Sequence, residues 1–377
     1  MKKSTLFFAV FVLLLCGIIS SFKLSSGDHP TLAIGAEAPD FSLQGVDGKT
    51  YTLSSFKNSP ILVIVFTCNH CPTAQAYEDR IIKLTADYRD KGVSVIGIMP
   101  NDANAIRLDE LGYTDMGDSF DEMKLRAKEK HYNFPYLYDG ATQSVARAYG
   151  PIATPHVFIF DKDRKLCYSG RIDDVEKPSK TPHIQDTRNA LNALLAGKKP
   201  DVATTKVFGC SIKWAEKEDW KQRAREEWAK EPVKLDTIGT TGIKQLMQNK
   251  SDSLRLIVVW SAMDQPSVTD FGKFVDMNRM YRRRDFQFIS ISTDGPANSN
   301  KALDFLKQSQ ASATNFIFNS NDRDMLNNSI GPKWKGALPY TLLVEPGGKI
   351  VYAKHGAIDP YEVKKAIVDD PVIGRYY

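Results

Sequence analysis

Cysteine is scarce in this chain: five in 377 residues, with none after Cys210. So few cannot staple a chain of this length, so apolar cores must hold the fold. A second Cys-x-x-Cys or a paired-histidine motif is missing too, which disfavours a four-ligand zinc clip around the single Cys68-x-x-Cys71. Charge of one sign is not in large excess. The formal charge is +5, part of it in Lys2 and Lys3, and no basic block or aromatic-interleaved patch argues for nucleic acid. Long apolar runs are absent beyond residue 19. Before it, Lys2 and Lys3 precede the run Leu6–Ile19, the pattern of an export signal and short for a comfortable span. Residues 1–27 are therefore read as an export signal or N-terminal anchor. Cys16 follows Leu15 rather than a small residue, so cleavage or anchoring is preferred to lipidation. The expectation is an exported protein of the periplasm or cell envelope, tethered if the segment is retained.

What is present is patterned. Residues Gly35–Phe56 alternate around the turn Asp47-Gly48-Lys49, which predicts a hairpin. Ile61–Phe66 is a continuous β-branched run, read as a strand buried on both faces. Tyr77, Ile81, Leu84 and Tyr88 mark one face of a helix after Pro72, ended by Lys91-Gly92, and Val93–Ile98 is a further strand. Strand, helix, strand is a βαβ unit. Residues 101–131 form an insertion in which Ser119 and Glu122 stand at capping-box spacing, opening a helix to about Lys130. A short helix to Tyr149, a hairpin of His156–Phe160 and Lys165–Gly170, and a helix over Ile184–Lys198 close the unit. The segment 199–235 is a charged linker holding a helix with Trp214, Trp220 and Trp228, expected to dock loosely.

The chain then starts over. Leu254–Trp260 mirrors Ile61–Phe66, and Phe286–Ser292 mirrors Val93–Ile98. At one constant offset Pro155 pairs with Pro339, Phe160 with Val344, Lys165 with Lys349 and Tyr168 with Tyr352. A whole domain is duplicated: residues 28–198 carry the cysteine pair, and residues 236–377 lack cysteine.

Cys68 and Cys71 sit at a strand-to-helix junction. A two-residue spacer closes almost no loop, so a purely structural disulfide stabilises little. Helix N–H groups and dipole favour a thiolate there, which leaves a redox pair as the best reading. The outer Cys68 is the expected nucleophile and Cys71 the resolving thiol. Asn69 and His70 are the expected tuning residues: a partly charged imidazole stabilises the thiolate and makes the disulfide a better oxidant. Thr154-Pro155 precedes a strand, and from the residues alone its bond is read as trans and structural. Cys167, aligned with Val351, is read as a small core hydrophobe. Cys210 has no counterpart in the second copy. It is read as a buried free thiol, with a third, resolving thiol as the alternative.

Together "GAEAPDFSL", "VFTCNHCP", "FPYLYD", "ATPHVFIFD" and "FGCSIKW" resemble the thioredoxin-like redoxin group, relatives of the peroxiredoxin/alkyl hydroperoxide reductase family, over residues 35–215. The resemblance implies an α/β protein of two thioredoxin-like domains, each a central mixed β-sheet flanked by helices. It implies Cys68 and Cys71 as the redox pair, no cofactor, and a cis Thr154-Pro155 peptide facing them, able to receive a substrate's extended chain. Two positions depart from the pattern. Thr67 stands where a tryptophan is usual, and Leu62 replaces a buried acid, so deprotonation of Cys71 falls to His70, the Glu78 side of the helix, or water. The implied activity is thiol-disulfide exchange with protein dithiols and an unidentified redox partner. Cys71-Pro72-Thr73 is similar to a peroxidatic motif, which keeps a thiol peroxidase open, with Thr67 nearby and Arg171 as the candidate cation; otherwise Arg171 pairs with Asp173 or Asp174. A redox-inert or copper-handling protein using Cys68, Cys71 and a histidine such as His156 is the non-enzyme alternative. The second copy resembles membrane-anchored or periplasmic thiol-disulfide oxidoreductases, with Asp264 and Ser267, or after a shift Ala262 and Gln265, at the cysteine positions. Pro339 is kept, which suits a module that binds a protein partner or serves as architecture.

Overall fold

The computed structural model describes residues 29–177, 180–331 and 334–375. The export-signal or anchor segment, residues 1–27 with Cys16, lies outside them. No helix among the described residues is long and apolar enough to cross a membrane.

The first unit opens with the hairpin β1 (Ser42–Gly45) and β2 (Thr50–Thr52), turned at Gly48 with φ +82°. Then come β3 (Ile61–Phe66), α1 (Pro72–Tyr88), β4 (Val93–Met99), the insertion with α2 (Phe120–Glu129), and β5 (Tyr136–Tyr138). The chain continues through α3 (Ser144–Tyr149), β6 (Ala153–Thr154), β7 (His156–Phe160), β8 (Leu166–Gly170) and α4 (Asp186–Leu195). Every residue of β3 is buried, because β4 lies parallel on one side, β7 antiparallel on the other, and both faces are covered. One face packs Val63 and Val65 with Tyr77, Ile81, Leu84 and Tyr88 of α1; the other packs Ile64 and Phe66 with Phe158 and Tyr149. The capping box of α2 forms as its spacing requires: Ser119 Oγ accepts from Glu122 N.

The segment read as a linker contains β9 (Cys210–Ser211) and α5 (Glu218–Ala229). It is not loose. Trp228 is buried with the Arg279 guanidinium 4.7 Å over its ring, Trp214 packs on the first unit, and Trp220 is 44% exposed.

The second unit runs β10 (Asp236–Ile238), α6 (Thr240–Gln248), β11 (Leu254–Trp260), α7 (Gln265–Tyr281), β12 (Phe286–Ser292) and α8 (Ser299–Gln308). It ends with β13 (Thr314–Phe318), α9 (Arg323–Ile330), β14 (Tyr340–Val344), β15 (Ile350–His355) and α10 (Pro360–Asp369). The sheet orders are β2-β1-β5-β4-β3-β7-β8 and β10-β13-β12-β11-β14-β15. From β5 and β13 onward the two sheets match strand for strand, parallel to parallel and antiparallel to antiparallel. Thr154-Pro155 and Leu338-Pro339 are both cis, so the trans reading of the first is corrected.

The insertion joins the units. Ile106 and Leu111 belong to the apolar core of the second unit, beside Phe274 and Met280. Thr114 O accepts from Tyr281 Oη at 2.8 Å, and the buried Asp115 pairs with Arg375 at 2.8 Å.

Candidate active site

Cys68 follows β3 by two residues, and Cys71 is the N-cap of α1, with Pro72 at the first helical position. Both thiols are buried, at 2% and 0% exposure, against the Tyr77 face of α1. Cys68 Sγ lies 3.0 Å from Thr154 Oγ1, and Cys71 Sγ 3.5 Å from Thr154 O. Both thiols thus lie against Thr154, whose bond to Pro155 is cis.

Their edge is not open. Ala153–Thr154 pairs antiparallel with Cys210–Ser211, placing Thr154 opposite Cys210. The backbone N–H of Cys210 donates to Cys71 Sγ at 3.3 Å. Gly209 makes this approach feasible: its φ is +132°, and a Cβ there would stand 2.1 Å from Thr154 O. The groove expected to receive a substrate chain is thus filled by the protein's own strap. Cys210, read from sequence as a buried bystander, is half-buried and is the third thiol of the cluster.

Charge is distributed unevenly among the three. Burial pushes the Cys71 thiol up. Hydrogen bonds from the Cys210 and Cys68 thiols, the charge of His70 and the Ala74 N–H outweigh it and hold Cys71 well below the ordinary thiol range. Cys68 is pushed well up, by burial first, then by its hydrogen bond to Cys71 and the charge of Asp118. Cys210 is pushed up by its hydrogen bond to Cys71 and by burial. Among the three thiols these contacts favour Cys71 as the one that ionises. The helix N-terminus and two neighbouring thiols favour a thiolate on the inner residue, Cys71.

His70 and Asn69 are held by a residue the sequence reading missed. Asp118, fully buried in the insertion, accepts from Asn69 N at 2.9 Å, His70 N at 3.0 Å, His70 Nδ1 at 2.6 Å and Asn101 Nδ2 at 2.7 Å. Burial disfavours the His70 cation, but the charge of Asp118 and its hydrogen bond raise His70 above the usual imidazole range. Burial opposes ionisation of Asp118 as well, and His70 and Asn101 nevertheless hold it below the usual carboxylate range. The resulting order, Asp118 anion, His70 cation, Cys71 anion, bears on the tuning role read from sequence. Only an Asp next to a capping-box serine hinted at Asp118.

Other candidates are engaged elsewhere. Glu78 is buried in a bidentate pair with Arg126 at 2.7 and 2.8 Å, with Tyr132 Oη at 2.9 Å, so both its oxygens are already engaged. Arg171 pairs with Asp186 at 2.7 Å, not with Asp173 or Asp174, and Thr73 Oγ1 donates to Glu176 at 3.1 Å. His156 sits on the opposite face of the sheet, 4.4 Å from Phe158, with Nε2 3.0 Å from Ser169 Oγ, and burial pushes it down to about 3. It cannot join Cys68 and Cys71 around copper. Ligand atoms of Cys68, His70 and Asp118 lie within 4.8 Å of one another, but His70 Nδ1 and Asp118 already satisfy each other. Cys167 is half-buried beside Asp161 rather than in the core.

The second unit repeats the corner without thiols. Counted from the strand ends, Ala262 and Gln265 take the cysteine places; counted from the N-caps, Ser261 and Asp264 do. Asp294 accepts from Ala262 N at 2.9 Å, as Asp118 accepts from Asn69 N, so a buried carboxylate braces both corners.

Residues 33–191 match the Redoxin family model. The thiol-disulfide oxidoreductase ResA of Bacillus thuringiensis subsp. konkukian is 31% identical over 172 residues, 44% of this chain and 87% of the relative. Two solved structures are also similar. One is a hypothetical protein from Sinorhizobium meliloti 1021, 35% identical, covering 49% of this chain and 97% of its own, TM-score 0.44. The other is an uncharacterized conserved protein from Geobacillus kaustophilus, 40% identical, covering 48% and 92%, TM-score 0.43.

Proposed function

Since this chain belongs to the thioredoxin-like redoxin family, we propose that it is a thiol-disulfide oxidoreductase whose Cys68–Cys71 couple exchanges a disulfide with protein dithiols. The observation that carries this is the pair of free thiols at the N-terminus of α1, Cys71 as its N-cap, with both sulfurs on Thr154 before the cis bond to Pro155. A stabilised thiolate is a good leaving group. In the oxidising direction a substrate thiolate attacks Cys68 Sγ of the disulfide, and Cys71 leaves as the thiolate. A second substrate thiolate then attacks the substrate sulfur of the mixed disulfide and releases Cys68. The substrate loses two electrons and the couple gains them; no cofactor enters. The reverse sequence reduces a substrate disulfide: Cys68 attacks it to form the mixed disulfide, and the Cys71 thiolate then attacks Cys68 Sγ and releases the reduced substrate. The basic start and apolar run of residues 1–27 support export to the periplasm or cell envelope, with a tether if that segment stays. The thiol-free second unit suits a brace or a docking module for a protein partner.

Peroxide reduction is supported less. It needs a cation and a hydroxyl at the thiolate, and both Arg171 and Thr73 have other partners.

The test compares wild type with Cys68→Ser and Cys71→Ser in insulin reduction and in oxidation of a model dithiol peptide. Loss of both activities in Cys71→Ser is expected, and loss of insulin reduction in Cys68→Ser. Full activity in either overturns the reading.

A further inference from the structure

The residues that would act on a protein substrate are buried, while the strap that covers them carries a more accessible thiol. Cys68 and Cys71 are 2% and 0% exposed, whereas Cys210 is half-buried and its neighbours Gly209 and Ser211 are exposed. The strap is fastened on both sides of Cys210. Upstream, Ser169 N donates to Ala203 O at 3.0 Å and Thr205 N to Ser169 O at 3.2 Å. A Cβ on Gly170 would stand 2.1 Å from Thr205 Oγ1, so that crossing is as close as the one at Gly209. Downstream, Ile212 is buried, Lys213 N donates to Asn101 Oδ1 at 2.9 Å, and Gln143 Nε2 donates to Lys213 O at 2.8 Å. Phe208 packs on Tyr77 with ring centroids 6.1 Å apart. Asn101 also holds Asp118, so one amide fixes both the strap and the carboxylate behind His70.

A segment anchored in this way is no random cover. It lies antiparallel on the edge beside the thiols and presents a cysteine opposite Thr154, the arrangement a bound substrate strand would need. Resting on the exchange activity proposed above, we propose that Cys210 is an internal exchange partner that relays the disulfide from the buried pair to the surface through a Cys71–Cys210 disulfide.

The step balances without any added reagent. The Cys210 thiolate attacks Cys71 Sγ of the Cys68–Cys71 disulfide. The Cys71–Cys210 bond forms, the Cys68–Cys71 bond breaks, and Cys68 leaves as a thiolate that takes the proton Cys210 gave up. One disulfide and one thiol stand on each side. A substrate thiolate then attacks Cys210 Sγ, the more accessible end; the Cys210–substrate bond forms, Cys71 leaves as a thiolate, and a second substrate thiolate attacks the substrate sulfur and releases Cys210.

Two measurements test it. First, Cys68→Ser is equilibrated in an oxidising dithiol buffer and its disulfides are mapped by mass spectrometry after non-reducing digestion. A Cys71–Cys210 linkage within one chain is expected. Free thiols at both positions, under conditions that form Cys68–Cys71 in wild type, overturn the proposal. Second, Cys210→Ser keeps the backbone N–H and nearly the same volume. It is expected to form the Cys68–Cys71 disulfide normally yet to oxidise a protein dithiol at least ten-fold more slowly. Gly209→Ala, which keeps every thiol but crowds Thr154 O, is expected to yield less Cys71–Cys210 linkage. An unchanged rate in Cys210→Ser, with Cys68→Ser and Cys71→Ser inactive, overturns the relay and leaves the exchange reading standing. Unchanged rates in all three cysteine variants overturn the exchange reading itself.

Discussion

Asp118 serves four donors from full burial, and two of them belong to His70. Replacing it with Asn keeps the shape and removes the charge. His70 then loses what holds it protonated, and Cys71 loses a neighbouring cation. In Asp118→Asn the Cys71 thiolate, followed by its ultraviolet absorbance, is expected to titrate about one pH unit or more higher, a cost to the thiolate of about 1.4 kcal/mol per unit. An unmoved midpoint would mean that His70 and Asp118 are only architectural, as Asp294 is in the second unit. The same pair has a stability signature. Asp118 is depressed in the fold, so its contribution is present above the unfolded value of about 3.9 and lost as pH falls through the folded one. His70 is raised, so its contribution is present below about 6.5 and lost as pH rises through the folded value. Denaturant midpoints of wild type and Asp118→Asn should therefore differ most between about pH 4 and 6.5. A pH-independent gap would refute this account.

At the scale of elements, much was legible. Ile61–Phe66, Phe286–Ser292 and Leu254–Trp260 form strands over those same residues, because a short β-branched run buried on both faces has no competing period. The capping box was legible because it is local. Ser119→Ala is expected to cost about 1 kcal/mol in a denaturant titration. Removing Arg126 should cost more. Arg126→Met leaves Glu78 buried beside only Lys130 and Tyr132, and a loss of about 3–5 kcal/mol is expected, with a loss under 1 kcal/mol counting against a buried pair. What sequence could not reveal is tertiary in origin. Asp118 meets His70 across an irregular insertion, and the strap pairs through two residues only, too short for any periodic signal. The contact of Cys210 with Cys71 was hidden as well, since the strap alone brings it there.

Across the whole molecule, the duplication was visible in the constant offset of paired residues, while the joint between the copies was not. That joint reaches the thiol loop. Arg375, near the C-terminus, pairs with Asp115 and lies 3.5 Å from Gln75 Oε1, and Gln75 Nε2 donates to Asn69 O at 2.6 Å. Arg375→Ala is expected to speed proteolysis between the units and to shift the Cys71 titration slightly, because Asp115 is left buried without its main partner. Identical proteolysis and titration would show the contact to be idle.

The placement of Ile106 and Leu111 in the second unit's core has a practical edge. A fragment cut after residue 215 would look self-sufficient, since it holds all three clustered thiols, the strap and the span shared with relatives. It would also carry a loop whose greasy side has lost its wall, on the same insertion that aims Asp118 at His70. The smallest piece that keeps the chemistry is thus larger than the piece that contains the reacting atoms. Dissecting this protein at its apparent repeat boundary should give a sticky, poorly tuned thiol protein, and polar replacements at Ile106 and Leu111 should restore its solubility before they restore its tuning.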